Sequence, residues 1–141
     1  MDGYKHIESA VGKYIAARYR NAVEVGIGQN TTAAAILQEA GVLKCCTDIR
    51  DFGLAGQLPF SRDDIFDPDI HLYNGADAIY SIRPAIEMIP PLIAIAFRID
   101  CDLVVYHLGF ETYGDGGVKI DCGVRLHLYH SGSRGEEKPA R

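Results

Sequence analysis

Between Ala22 and Asp48 the chain runs through an apolar tetrapeptide, two glycines one residue apart, an Ala/Ile/Leu-rich stretch and a second apolar run, with almost nothing left over for linkers. Ala22-Val23-Glu24-Val25 is a short strand pattern broken by Gly26-Ile27-Gly28. Residues 31–40 have helix-forming composition with Gly41 as a stop, and residues 42–47 form a second strand pattern ending at Asp48. Strand, glycine turn, helix and strand make a βαβ unit. Its two strands are expected to be parallel and its crossover right-handed, which commits the rest of the chain to covering both faces of a mostly parallel sheet.

The remaining patterns agree. Residues 6–19 place Ile7, Val11, Tyr14, Ile15 and Arg18 at helical spacing. A short third strand is expected around Leu58-Pro59-Phe60, at an edge because Pro59 cannot donate to a ladder. Residues 77–82 read as a fourth strand, 91–97 as a helix, 102–108 as a fifth strand, and 118–129, which alternate apolar and polar throughout, as one antiparallel last strand. The fold class predicted is therefore α/β, a three-layer sandwich around a Rossmann-like sheet of about six strands. With 141 residues there is one domain, expected over 1–130 with a disordered tail at 131–141.

Composition removes several function classes. Fourteen basic against 19 acidic residues give a net charge of −5, which argues against bulk nucleic-acid binding. No signal-peptide pattern opens the sequence, and the apolar run 88–97 is about half the length of a membrane span, so a cytoplasmic location without membrane insertion is expected. Cys45, Cys46, Cys101 and Cys122 lack metal-ligand spacing; the adjacent pair should face opposite sides of a strand, and no metal is predicted. Neither a nucleophile elbow nor a P-loop is present.

In parallel sheets ligands bind at the carboxyl ends of the strands. There Gly26 and Gly28 let the backbone turn tightly and approach a ligand, and Asp48 follows Gly26 by 22 residues, the spacing of an acid that accepts both ribose hydroxyls. A tight turn with a solvated Asp48 is the plainer reading of the same residues. At the fourth strand end, Arg83 offers a bidentate fork to a carboxylate or phosphate, or else braces the turn by pairing with Glu87. His107, near the end of the fifth strand, is placed as a general base or as a packed, hydrogen-bonded histidine.

Val-Glu-Val-Gly-Ile-Gly-Gln-Asn resembles the first motif of class I S-adenosylmethionine (SAM) methyltransferases. The resemblance implies SAM as cofactor, with Glu24 beside its methionine amino group, Asp48 on the ribose, and Asp64, or alternatively Asp63, at the adenine. It also places the methyl acceptor near Ser81 and Arg83. The sequence departs from that family in having Asn30 at the third glycine, a shorter chain, and one final strand where two are usual. Ile79-Tyr80-Ser81-Ile82-Arg83-Pro84, together with Val23-Glu24-Val25-Gly26, Thr47-Asp48-Ile49 and Arg62-Asp63-Asp64-Ile65, is similar to the archaeal UPF0146 family of uncharacterised proteins, which implies the same fold and supplies no reaction. The expectation is a SAM-binding, methyltransferase-like protein with an unidentified acceptor. The alternative is a non-catalytic binding or scaffold protein of the same fold; an NAD-binding Rossmann protein is a third reading, disfavoured by Asn30 and the lack of a substrate domain.

Overall fold

The structure is a computed structural model and describes residues 3–133. Its elements are α1 (Gly3–Arg18), β1 (Ala22–Val25), α2 (Thr32–Glu39), β2 (Leu43–Asp48), β3 (Phe60–Arg62), β4 (Ala78–Ile82), α3 (Ile89–Ile99), β5 (Asp102–Tyr106), β6 (Val118–Asp121) and β7 (Arg125–His130). Short 3-10 turns occupy Ile70–Tyr73 and Ile86–Met88. Seven strands form one sheet in the order β3-β2-β1-β4-β5-β7-β6. The first five pair in parallel, and β7 runs antiparallel to both β5 and β6.

The period-2 pleat sorts the core into two layers. Val23, Val25, Ile79, Leu103 and Val105 point to the face covered by α3, where Leu92 and Ile95 are buried. Ala22, Ala78, Tyr80 and Val104 point to the other, packed against Val11 and Ile15 of α1 and Ala33 and Leu37 of α2. Cys45 and Cys46 divide between the α3 layer and a smaller α2-side cluster, as their adjacency predicts. The two helices on one face approach closely because α1 presents Gly12 to Ala33: a Cβ there would lie 3.0 Å from the Ala33 Cα. Among the described residues no helix is long and apolar enough to cross a membrane.

The alternating segment 118–129 is not one strand. It folds into the β6–β7 hairpin about Cys122-Gly123-Val124, with Asp121 opposite Arg125 and Val118 opposite Leu128, and Gly123 takes the φ of +96° that the turn requires. An odd number of turn residues preserves parity, so the even positions of both strands still face the α1 layer. That parity is why the pattern reads as unbroken. The start of the expected tail is also ordered by contacts: the Gly132 amide donates to Asp102 at 2.9 Å, and Ser133 bonds Asp100 through both its amide and its hydroxyl. The remaining tail residues, 134–141, lie outside the described residues.

Candidate functional site

The chain leaves β1 toward β2 on one side and returns to β4 on the other, so the sheet has its switch point between the carboxyl ends of β1 and β4. A cleft of about 290 Å³ opens there. Its floor is Val25, Gly26, Thr47 and Ser81, its acidic wall Asp48, Asp63 and Asp64, and its far side Arg83, Pro84 and Met88. The volume is at the lower edge of the roughly 300–1,000 Å³ typical of small-ligand pockets.

The glycine turn is held from within. Gly26 and Ile27 donate their amides to the Thr47 carbonyl at 2.9 and 3.1 Å, Gly28 to Asp48 Oδ2 at 2.8 Å, and Thr32, at the start of α2, to Asn30 Oδ1 at 3.1 Å. Gly26 and Gly28 have φ of +74° and +58°, where a side chain is strained. Asp48 is therefore more than a solvated acid. Its Oδ1 accepts the Arg50 amide at 3.0 Å, and each oxygen still has acceptor capacity toward the cleft.

Asp63 and Asp64 are separated by their partners. Asp63 takes the Tyr73 hydroxyl at 2.6 Å on one oxygen and the Asp69 amide at 2.9 Å on the other. Asp64 accepts only the Phe66 amide, at 3.0 Å on Oδ1, leaving Oδ2 without a hydrogen bond among the described residues. Ile49, next after Asp48, and Phe66, two residues after Asp64, are 56% and 62% exposed and present apolar surface to the cleft. No motif reading singled them out; the signal available was an apolar residue one or two positions after a strand-end acid.

Glu24 lies elsewhere. Its side chain shares a face with Ala22 and points into the α1 layer, opposite to Val25 of the cleft floor, and it accepts the Tyr80 hydroxyl at 2.8 Å. Burial pushes its carboxyl up to about 8, helped by the nearby Glu8 and opposed by the Tyr80 hydrogen bond. Ser81 is buried at the switch point and donates its hydroxyl to the Val25 carbonyl at 2.8 Å, clamping β4 to β1. Arg83, left-handed at φ +57°, lines the cleft, but its Nη1 donates at 2.9 Å to Glu8 on α1, a residue only 3% exposed. The brace is thus long-range, to Glu8 rather than to the exposed Glu87. Glu8 was missed because an acid in the apolar stripe of an amphipathic helix reads as surface.

His107 is buried and outside the cleft lining, its Nε2 2.6 Å from the Tyr129 hydroxyl, which also accepts the Tyr113 amide. Burial and the neighbouring His127 lower its pKa. His127 and His130 each donate Nδ1 to a backbone carbonyl, of Gly116 and Cys101 respectively.

Compared with known proteins, residues 8–122 match the model of a family described as "Uncharacterised protein family (UPF0146)". A UPF0146 protein of Archaeoglobus fulgidus is 33% identical over 106 residues, 74% of this chain and 78% of its own length. One from Pyrococcus horikoshii is 36% identical over 116 residues, covering 75% and 86%. One from Halobacterium salinarum is 33% identical over 97 residues, covering 69% and 75%.

Proposed function

Starting from the chain's membership of the UPF0146 family, we propose that its cleft binds an adenine nucleoside without a phosphate chain, with SAM as the cofactor and methyl transfer to an unidentified acceptor as the activity. The observation that carries this reading is the state of the turn amides. Dinucleotide sites of this architecture hold a pyrophosphate on free N–H groups of the glycine turn and helix start. Here the amides of Gly26, Ile27, Gly28 and Thr32 are all bonded within the protein, and three carboxylates face the same space. A phosphate chain would meet the repulsion of these carboxylates and find the turn amides already engaged. A nucleoside brings hydroxyls, an amino group and, in SAM, a cationic sulfonium.

In this reading Asp48 accepts the ribose hydroxyls, Asp64 accepts from the adenine amino group, and Ile49 and Phe66 cover the base. Gly26 lets the backbone approach. When bound, SAM supplies an electrophilic methyl group. The protein's part is alignment and exclusion of water, with no base required if the acceptor is already nucleophilic. The β6–β7 hairpin gives the two strands after β5 that class I methyltransferases usually have, which supports the resemblance.

A binding or scaffold role without transfer is supported by a separate observation. On the β4 side of the cleft, the Ser81 hydroxyl is bonded to Val25 and the Arg83 guanidinium to Glu8. Titration calorimetry with SAM, its demethylated product and NAD tests the first reading: micromolar to submillimolar binding of the two nucleosides and none of NAD is expected. No heat with any ligand at millimolar concentration rejects it.

A further inference from the structure

The sheet ends on one side in β3, three residues long and preceded by Pro59, and on the other in β6, which pairs only with β7 among the described residues. The first edge is only three residues long, which limits what can pair with it. The second presents the backbone of an open strand, and its side chains divide by face. Val118, 61% exposed, and Ile120 lie on the α1 side; Lys119 and Asp121 are exposed on the other.

We propose that β6 is the edge through which two copies of this chain join their sheets, antiparallel and centred on Ile120. A two-fold axis perpendicular to the sheet sets opposite each other only residues that share a face, so it must pass between one residue and its own copy. Centred on Lys119 it sets that lysine against its own copy, and centred on Asp121 it does the same with the aspartate; like charges directly opposite destabilise a ladder. Centred on Ile120 it sets Lys119 against the partner's Asp121 twice, with Ile120 against Ile120 on the other face. β6 offers four such centres: like charges reject Lys119 and Asp121, a Val118 centre sets Lys119 against the partner's Gly117, and only Ile120 pairs opposite charges. Among the described residues Lys119 donates to the Asp115 and Gly117 carbonyls, and Asp121 holds an exposed Arg125, contacts that a cross-strand pair would exchange or share.

The same register brings the partner's Val118 to the end of the ladder beside Cys122. A groove of about 350 Å³ opens there, lined by Ala10, Lys13 and Tyr14 of α1 together with Cys122. An exposed apolar side chain and an unfilled groove are thus joined by a register chosen on charge alone.

Sedimentation equilibrium of the full chain tests this. The parent should be a dimer that dissociates on dilution. Lys119→Asp makes both cross-pairs repulsive and should raise the dissociation constant roughly tenfold or more, as should Asp121→Lys. An equimolar mixture of these two variants should form a heterodimer, since each then supplies the charge the other lacks, and the double swap Lys119→Asp/Asp121→Lys should restore the homodimer. Circular dichroism confirms folding of each; if Asp121→Lys loosens the hairpin, Lys119→Asp and the double swap decide alone. A parent that stays monomeric at every concentration, or a dimer indifferent to both Lys119→Asp and the swap, overturns the proposal.

Discussion

Asp48 accepts the Gly28 amide at 2.8 Å, so the acid that ends β2 fixes the shape of the turn that ends β1. Substituting it should have two separable effects. Asp48→Ala removes the bonds to Gly28 and Arg50 and should lower stability by about 1–3 kcal/mol, the scale of hydrogen bonds to a charged group. It should also weaken nucleoside binding by a further 1.5–3 kcal/mol, on the order of ten- to a hundred-fold. Asp48→Asn keeps one acceptor oxygen and should recover part of the stability while binding stays weak. Thermal melts alongside calorimetry separate the two. Unchanged affinity in the folded Asp48→Ala variant removes this residue from the ligand site.

The two glycines of the turn should respond differently to the same change. Both require positive φ, and alanine in that region costs roughly 1–2 kcal/mol. A Cβ on Gly28 meets nothing within 4 Å, whereas one on Gly26 lies 3.7 Å from Met88 Cε and 3.8 Å from Ser81 Oγ, among the residues that line the cleft. Gly28→Ala should therefore lose stability with affinity kept in the folded fraction. Gly26→Ala should lose both. Equal affinities for the two variants would place the ligand away from Gly26.

Glu24 predicts a pH dependence. Its carboxyl is raised from 4.5 to about 8 by burial, so across that interval the folded chain holds a proton that the unfolded chain has released. Stability contributed by neutral Glu24 is thus fully present below the unfolded value, declines as pH rises, and is exhausted above the folded value. Glu24→Gln keeps an acceptor for the Tyr80 hydroxyl and has no proton to lose. Relative to the parent it should gain on the order of a few kcal/mol between the lower and upper ends of that window. Denaturant melts of both proteins at several pH values measure this gap. A constant difference would mean that Glu24 is ionised in the folded state.

Much of this architecture was legible because the cue and the structure were local. The βαβ unit, the edge position of β3 after Pro59 and the opposite facing of Cys45 and Cys46 follow from glycine, proline and pleat geometry acting within a few residues. The hairpin escaped because its turn preserves parity, and parity was the signal. Within the cleft, Gly26, Asp48, Asp64, Ser81 and Arg83 were readable as strand-end residues, whereas Gly28 shapes the turn from outside the lining. Glu24 turned out to face the α1 layer, and the side of a strand to which one residue points depends on which helices cover it. The partner of Arg83 was illegible for a different reason: Glu8 precedes it by 75 residues, and no local spacing encodes that contact.

That contact gives the last test. Glu8 is nearly buried, its Oε1 has no hydrogen-bond partner among the described residues, and Arg83 supplies the opposite charge at 2.9 Å while stacking over Tyr106 at 5.5 Å. Removing one member of such a pair leaves an uncompensated charge, so Arg83→Ala should cost about 2–4 kcal/mol near neutral pH. Arg83→Lys keeps the charge, loses the planar fork over Tyr106, and should cost less. Glu8→Gln/Arg83→Met removes both charges and should recover more than half of the Arg83→Ala loss, giving a coupling energy in a double-mutant cycle. If Arg83 acts only as this brace, every variant should bind the nucleoside normally in its folded fraction. Normal stability in Arg83→Ala, with ligand binding abolished, would instead make the guanidinium a ligand-binding group and the pair with Glu8 incidental.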